Sequence, residues 1–107
     1  MIEQNILKLI QKDLNDHKQE RNIILKDFPN SLISRPFIQK FYNDWTKVDE
    51  DYWIVFDEIP NDSKEGYLII YDESTNEFGL ATKTSLKSTK GTFIGIHGSF
   101  IDAFIGM

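Results

Sequence analysis

The chain has 107 residues, of which 13% are aromatic and none is cysteine, and its formal net charge is −5. This length predicts a single domain over residues 1–107, and the aromatic side chains are numerous enough to fill one core. The lack of cysteine excludes disulfides, thiolate metal sites and thiol nucleophiles, and no run approaches the roughly 20 apolar residues that a membrane-spanning helix requires.

The N-terminal segment has the period of a helix. Apolar residues recur at helical spacing, with polar residues between them: Ile2, Ile6, Leu9, Ile10 and Leu14. We predict one long helix that reaches about Lys26 and ends at Phe28-Pro29. The alternative is a break near Asn15-Asp16, which would leave residues 23–25 free to form a strand. The mixture of polar and apolar residues also excludes a signal peptide, so we expect a cytosolic protein.

A second helix is predicted from about Arg35-Pro36. Ser34 is suited to cap it, and Pro36 fits the first turn, where its missing N–H costs nothing. The residues that follow form an apolar stripe with the spacing of one helix face: Phe37, Ile38, Phe41, Tyr42 and Trp45. We predict that this stripe lies in the core; an aromatic ligand site is the alternative.

From residue 51 the pattern changes to the two-residue period of strands. Four segments rich in β-branched and aromatic residues are predicted as strands: 52–56, 66–71, 77–82 and 92–96. Ser99 then caps a short closing helix that begins at Phe100. Because helices and consecutive strands are segregated, we predict an α+β fold with two N-terminal helices, a four-stranded antiparallel β-meander and a short C-terminal helix.

The second predicted strand is apolar on both faces. Tyr67, Ile69 and Tyr71 alternate with Leu68 and Ile70, whereas a sheet open to water on one side would alternate apolar with polar residues. We therefore expect the helices to cover both faces of the sheet. The alternative is that part of one face is an interface, through which the chain could form a homodimer.

Negative charge is concentrated in the middle of the chain. Residues 49–77 contain ten acidic residues and one lysine, a net charge of −9, while residues 1–48 and 78–107 each carry +2. Such a field attracts basic proteins and repels nucleic acid and anionic membranes. An ordinary solvated surface is the simpler interpretation of the same segment.

Catalytic and metal patterns are weak. Residues 72–83 resemble a calcium loop at alternate oxygen positions, but Glu77 and Lys83 replace its glycine and its final carboxylate. The carboxylates that could form an acid–base pair lie at strand ends and turns, where solvated carboxylates are normal: Asp57, Glu58, Asp72 and Glu73.

Nucleophilic and phosphate-binding patterns are equally weak. His97, Ser99 and Asp102 are too close in sequence for a converging triad, and Ser99 is better explained as a helix cap. The glycines lack the spacing of a phosphate loop, and the three lysines of the 83–90 segment form at most a weak basic patch. We therefore predict no enzyme activity, no metal and no cofactor.

The C-terminal half carries three motifs, GYLIIYD, EFGLATK and GTFIGIHGSFIDAFIGM. With the small acidic domain and the helices before a β-meander, these motifs resemble the immunity proteins of bacterial toxin systems and small uncharacterised bacterial families. The resemblance covers residues 51–107 and implies a cytosolic protein that binds and blocks a cognate toxin, often a basic nuclease. It assigns no functional residue.

We therefore predict a non-enzymatic protein that binds a protein partner, neither nucleic acid nor membrane. The predicted binding face joins acidic residues to aromatic anchors where these are exposed: Asp49, Glu50, Asp51, Tyr52, Trp53, Asp57, Glu58, Tyr71, Asp72 and Glu73. The alternatives are a small enzyme or ligand-binding domain with a pocket between helices and sheet, and a homo-oligomeric assembly module.

Overall fold

A computed structural model describes residues 1–84 and 91–107 of the chain. It confirms an α+β fold, but the sheet has five strands where four were predicted. The elements in chain order are α1 (Ile2–Asp16), α2 (Lys18–Asp27), β1 (Leu32–Asn43), β2 (Val48–Asp57), β3 (Tyr67–Asp72), β4 (Glu77–Thr82), β5 (Thr92–Gly98) and α3 (Phe100–Ile105). No helix among the described residues is long and apolar enough to cross a bilayer.

The predicted long N-terminal helix is interrupted at His17, whose backbone has left the helical region with φ −131° and ψ 72°. The stripe of α1 is buried as expected at Ile6, Ile10 and Leu14. The alternative break near Asn15-Asp16 is close to the observed one, yet residues 23–25 remain helical. The break falls in a polar stretch because no continuous apolar face holds the two helices in one line.

The predicted second helix is wrong, because residues 32–43 form the long strand β1. Of its proposed core stripe, Phe41 is fully buried, whereas Phe37, Ile38 and Trp45 are about half or more exposed. The aromatic and β-branched residues of this segment favour a strand. Pro36 lies where the pairing of β1 with β2 is irregular, between Leu32 and Phe37, so its missing N–H interrupts no regular ladder.

The five strands close into a barrel in the order β1-β2-β3-β4-β5. Consecutive strands pair antiparallel, and the barrel closes where β1 and β5 pair in parallel. That closing contact is short, since it comprises Tyr42 with Thr92 and Asn43 with Phe93. The strand that was not predicted, β1, therefore closes the predicted open meander into a barrel.

Strand β3 contributes to two cores, one on each face. Leu68 and Ile70 belong to the barrel interior with Phe41, Tyr52, Ile54, Ala81 and Phe93. Ile69 and Tyr71 pack beneath the helices, in a cluster that includes residues of α1, α2 and α3. The helices thus cover one face, and the other face is buried because the sheet curls onto itself. Helices on both faces, as expected from the sequence, are not observed.

The C-terminal helix is capped as predicted. The Ser99 Oγ accepts a hydrogen bond from the backbone N–H of Asp102 at 3.1 Å, which satisfies one of the free donors at the start of α3. Phe100 and Ile101 are buried, whereas Ile105 at the end of the helix is 63% exposed.

Candidate functional site

Four of the predicted acidic residues line one groove on the outer side of the barrel. This acidic groove, about 450 Å³ in volume, is formed by β1, β2 and the turn between β3 and β4; its lining comprises Ile38, Glu50, Asp51, Tyr52, Trp53, Asp72, Glu73 and Ser74. The barrel positions these residues because β2 pairs with β1 on one side and with β3 on the other.

Each carboxylate of the groove is oriented by an internal donor. The Trp53 indole Nε1–H donates to Glu73 Oε1 at 2.9 Å, and Lys40 Nζ donates to Asp51 Oδ1 at 3.0 Å. Asp72 Oδ1 accepts from the backbone N–H and the hydroxyl of Ser74. Such contacts fix a carboxylate in one orientation before a partner arrives, which lowers the entropy cost of binding.

Glu50 is held most firmly. Its Oε2 accepts from the Tyr52 hydroxyl at 2.8 Å and from Asn43 Nδ2 at 2.9 Å. Asn43 is buried, and its Oδ1 also accepts the backbone N–H groups of Trp45 and Thr46. This network connects the rim of the groove to the turn between β1 and β2.

Burial raises the pKa of two tyrosines beside these acids. Burial of Tyr52, together with the hydrogen bond of its hydroxyl to Glu50, raises the pKa of that phenol well above its ordinary value. Burial also raises the pKa of Tyr71, and the charges of Glu73 and Asp72 add to the increase. Both phenols are therefore neutral donors at physiological pH; the Tyr71 hydroxyl donates to Asn76 Oδ1 at 2.7 Å.

The three predicted aromatic anchors are not exposed. Tyr52 and Tyr71 are 3% and 2% exposed, and their rings belong to the two cores. Trp53 is 8% exposed and lines the groove beneath the acidic rim. The apolar side chain available at the groove is Ile38, which is 52% exposed. Ile38 was not among the predicted site residues because its segment was assigned to the core side of a helix.

The remaining predicted acids lie elsewhere. Asp49 is exposed on β2, opposite Tyr42. Asp57 is the last residue of β2, at most about 23 Å from Glu50 at the rise of an extended strand, and Glu58 follows it. Glu58 Oε1 accepts the backbone N–H of Tyr67 at 2.9 Å, so it supports the loop of residues 58–66.

A buried lysine organises that loop. Lys83 Nζ lies 2.6 Å from Asp57 Oδ1 and donates to the carbonyl oxygens of Ile59 and Asp62. The contact with Asp57 is an ion pair without the alignment of a hydrogen bond. A second cavity of about 380 Å³ opens beside this cluster at the mouth of the barrel. Because Lys83 is paired with Asp57 and bound to two loop carbonyls, we assign this cluster a structural role.

Asp62, in the same loop, is fixed by its neighbours. The backbone N–H groups of Lys64 and Glu65 donate to its Oδ1 at 2.8 and 2.9 Å. These two hydrogen bonds lower the pKa of Asp62 below its ordinary value. No group of acidic and histidine residues suited to a metal ion occurs in residues 1–84 and 91–107.

Comparison with known proteins yields no relative. The chain matches no protein-family model, no curated protein and no solved structure. The function is therefore argued from the groove and from the charge of the chain.

Proposed function

We propose that this chain is a non-enzymatic binding protein, of the type of a bacterial immunity protein, that neutralises a basic, nuclease-like toxin through its acidic groove. The observation that carries the proposal is the grouping of Glu50, Asp51, Asp72 and Glu73 beside the exposed side chain of Ile38. Oriented carboxylates around an exposed apolar contact form a surface that suits a basic protein.

The free oxygens of the carboxylates support this assignment. Among the described residues, internal hydrogen bonds engage one oxygen of each groove carboxylate, while the second oxygen accepts none. An oriented oxygen without an internal donor is available to the guanidinium or ammonium groups of a partner. In the described part of the chain, Lys40 is the one base paired with the groove, through Asp51, so the four carboxylates there outnumber the bases paired with them.

The charge distribution predicts how such a complex forms. The net charge of −9 over residues 49–77 steers a basic partner during approach. Raising the salt concentration is therefore expected to slow association by at least about tenfold between low and high ionic strength. Truncating Ile38 to alanine removes a short-range contact and is expected mainly to speed dissociation. An association rate that is flat with salt contradicts the electrostatic mechanism.

The first experiment uses the reading frame immediately upstream in the source genome. It is expressed in a bacterial host with and without this chain, and surviving colonies are counted. Killing that this chain alone relieves supports an immunity role. An upstream product that is harmless, or that kills in both cases, argues against it.

Charge reversal then tests the groove. The double variant Asp51→Lys and Glu73→Lys is compared with the matched double variant Asp49→Lys and Glu65→Lys, which makes the same charge change at exposed residues outside the groove. We expect the groove variant to lose protection and the matched variant to retain it. Equal loss in both would mean that total charge, not the groove, determines binding, and retention in both would exclude the groove.

A further inference from the structure

Within residues 1–84 and 91–107, strand β5 has a free edge over most of its length. On one side it pairs with β4 from Phe93 to Gly98. On the other side its pairing with β1 ends at Phe93, and no strand of the described residues pairs with Ile94–Gly98 there. A strand edge with unpaired N–H and C=O groups is a template for another strand.

The free edge lacks two of the features that usually prevent such pairing, charged side chains and proline. The pairing of β5 with β4 is irregular at Ile94 and at His97, while Gly95 and Ile96 between them pair in register with Leu80 and Gly79. Strand β5 contains no acidic residue, lysine, arginine or proline, although edge strands are commonly protected by charges or proline. Ile94 and Ile96 are 36% and 37% exposed, and a side chain added at Gly95 would meet open space. Another strand could therefore approach this edge closely.

Exposed apolar side chains continue beyond the strand. Trp45 is 69% exposed and packs edge-on against Phe93, with ring centroids 5.8 Å apart. Val48 is 53% exposed. It is the partner of Asn43 in β1, and Asn43 is in turn the partner of Phe93 where β1 and β5 close the barrel. The edge and these two side chains form one uncharged region beside the closure of the barrel.

We infer that β5 pairs antiparallel with β5 of a second copy of this chain, across a two-fold axis at Gly95. The sequence around that axis is symmetric, because Ile94 and Ile96 flank Gly95. Antiparallel pairing centred on Gly95 therefore places Ile94 of each copy opposite Ile96 of the other. A two-fold interface must be self-complementary in this way, and β-branched pairs across antiparallel strands are favourable.

Charge does not oppose a second copy at this edge. Two chains of net charge −5 repel each other as wholes, but β5 contains no acidic residue, lysine or arginine. In the adjacent turn, Lys47 and Asp44 form an ion pair at 3.1 Å, so they largely cancel. At this edge two copies can therefore meet with no acidic side chains of β5 in direct contact, so that only the longer-range repulsion between the net charges of the two chains remains.

Cysteine cross-linking tests the position of the axis. The natural chain has no cysteine, so Gly95→Cys introduces a single thiol next to its own symmetry mate, within the distance that a disulfide spans. Mild oxidation is expected to convert Gly95→Cys to a covalent dimer at least tenfold faster than the matched variant Ser63→Cys in an exposed loop. Equal rates for the two variants would overturn the inference.

Light scattering of the unmodified chain over a hundredfold range of concentration gives an independent measurement. We expect the mass to rise toward twice that of the monomer. Ile96→Lys is expected to abolish this rise, whereas Ile59→Lys, at a 43% exposed isoleucine in the loop of residues 58–66, preserves it. Thermal melting establishes that both variants are folded.

Two outcomes of that measurement would overturn the inference. The first is a constant monomer mass for the unmodified chain at every concentration, and the second is a dimer that survives Ile96→Lys. The interface does not involve the acidic groove, so failure here leaves the proposed function untouched. Conversely, a chain that dimerises but gives no protection against the upstream product would contradict only the proposed function.

Discussion

The substitution Lys83→Met tests whether one buried ammonium group holds the loop of residues 58–66 against the barrel. The Lys83 side chain is 8% exposed and the Asp57 side chain is 24% exposed. Methionine keeps an unbranched apolar side chain as far as Cε and lacks only the terminal ammonium, so it leaves Asp57 without its counter-ion and the two loop carbonyls without their donor. Removing one partner of a buried ion pair costs 3–5 kcal/mol, and the partial exposure of Asp57 places the expected loss at about 3 kcal/mol.

Urea unfolding, followed by circular dichroism, measures this loss as a lower midpoint with an unchanged slope. In a domain of this size the same loss lowers Tm by about 12 °C. The matched control is Lys40→Met, which breaks the pair with Asp51 on the same barrel, where both side chains are more than half exposed. Exposed pairs contribute at most about 1 kcal/mol.

The two substitutions should therefore differ by about 2 kcal/mol or more. Equal losses for Lys83→Met and Lys40→Met would refute the assignment of Lys83 as a buried anchor. A double variant, Lys83→Met with Asp57→Leu, removes both charges together and is expected to recover more than half of the loss, because no charge is left buried alone. Failure to recover would show that the two loop carbonyls, not Asp57, depend on Lys83.

Three further predictions concern the barrel. Gly79→Ala should cost more than about 2 kcal/mol in thermal melts, because the new Cβ overlaps the carbonyl oxygen of Gly95, whereas Gly95→Ala should change stability by less than about 0.5 kcal/mol. The pKa values of Tyr52 and Tyr71 are raised in the folded chain, so the unfolded chain loses these protons at lower pH. The free energy of unfolding should therefore fall as the pH rises above about 10. Urea unfolding should show a less steep fall for the double variant Tyr52→Phe and Tyr71→Phe. Lys47 has a φ of 64°, a left-handed conformation that asparagine adopts more readily than lysine. Lys47→Asn should therefore raise the free energy of unfolding, measured by urea unfolding, by about 0.5 kcal/mol.

The sequence predicted the four later strands and the closing helix because each is bounded by turn residues and has a clear two-residue or helical period. It failed at β1, where Phe37, Ile38 and Phe41 fit a helical stripe as well as a strand. Local periodicity cannot distinguish a helix from a strand when apolar residues would lie on both faces of the strand. The segment forms a strand because it pairs with β2 and β5. The spacing of residues within one segment does not reveal pairing with another segment.

The acidic groove was predicted in part. Asp51, Asp72 and Glu73 were named from charge alone, and the fold brings them together because the turn after β3 lies beside β2. Asp57 was grouped with them by sequence proximity, but the length of β2 separates it from the groove. Lys83 was counted as a member of a mild basic loop; its burial depends on the three oxygen atoms that the folded chain gathers around it.

The two proposed interfaces lie on different parts of the barrel and respond to salt in opposite directions. The acidic groove uses β1, β2 and the turn after β3, whereas self-association uses the free edge of β5. Pairing two copies brings together two chains of net charge −5, so screening by salt should strengthen the dimer. Binding of a basic partner relies on attraction across the groove, so the same screening should weaken it. A dimer that weakens with salt would instead indicate attraction between opposite charges at the contact, with acidic residues of one copy against basic residues of the other, and not the pairing of β5.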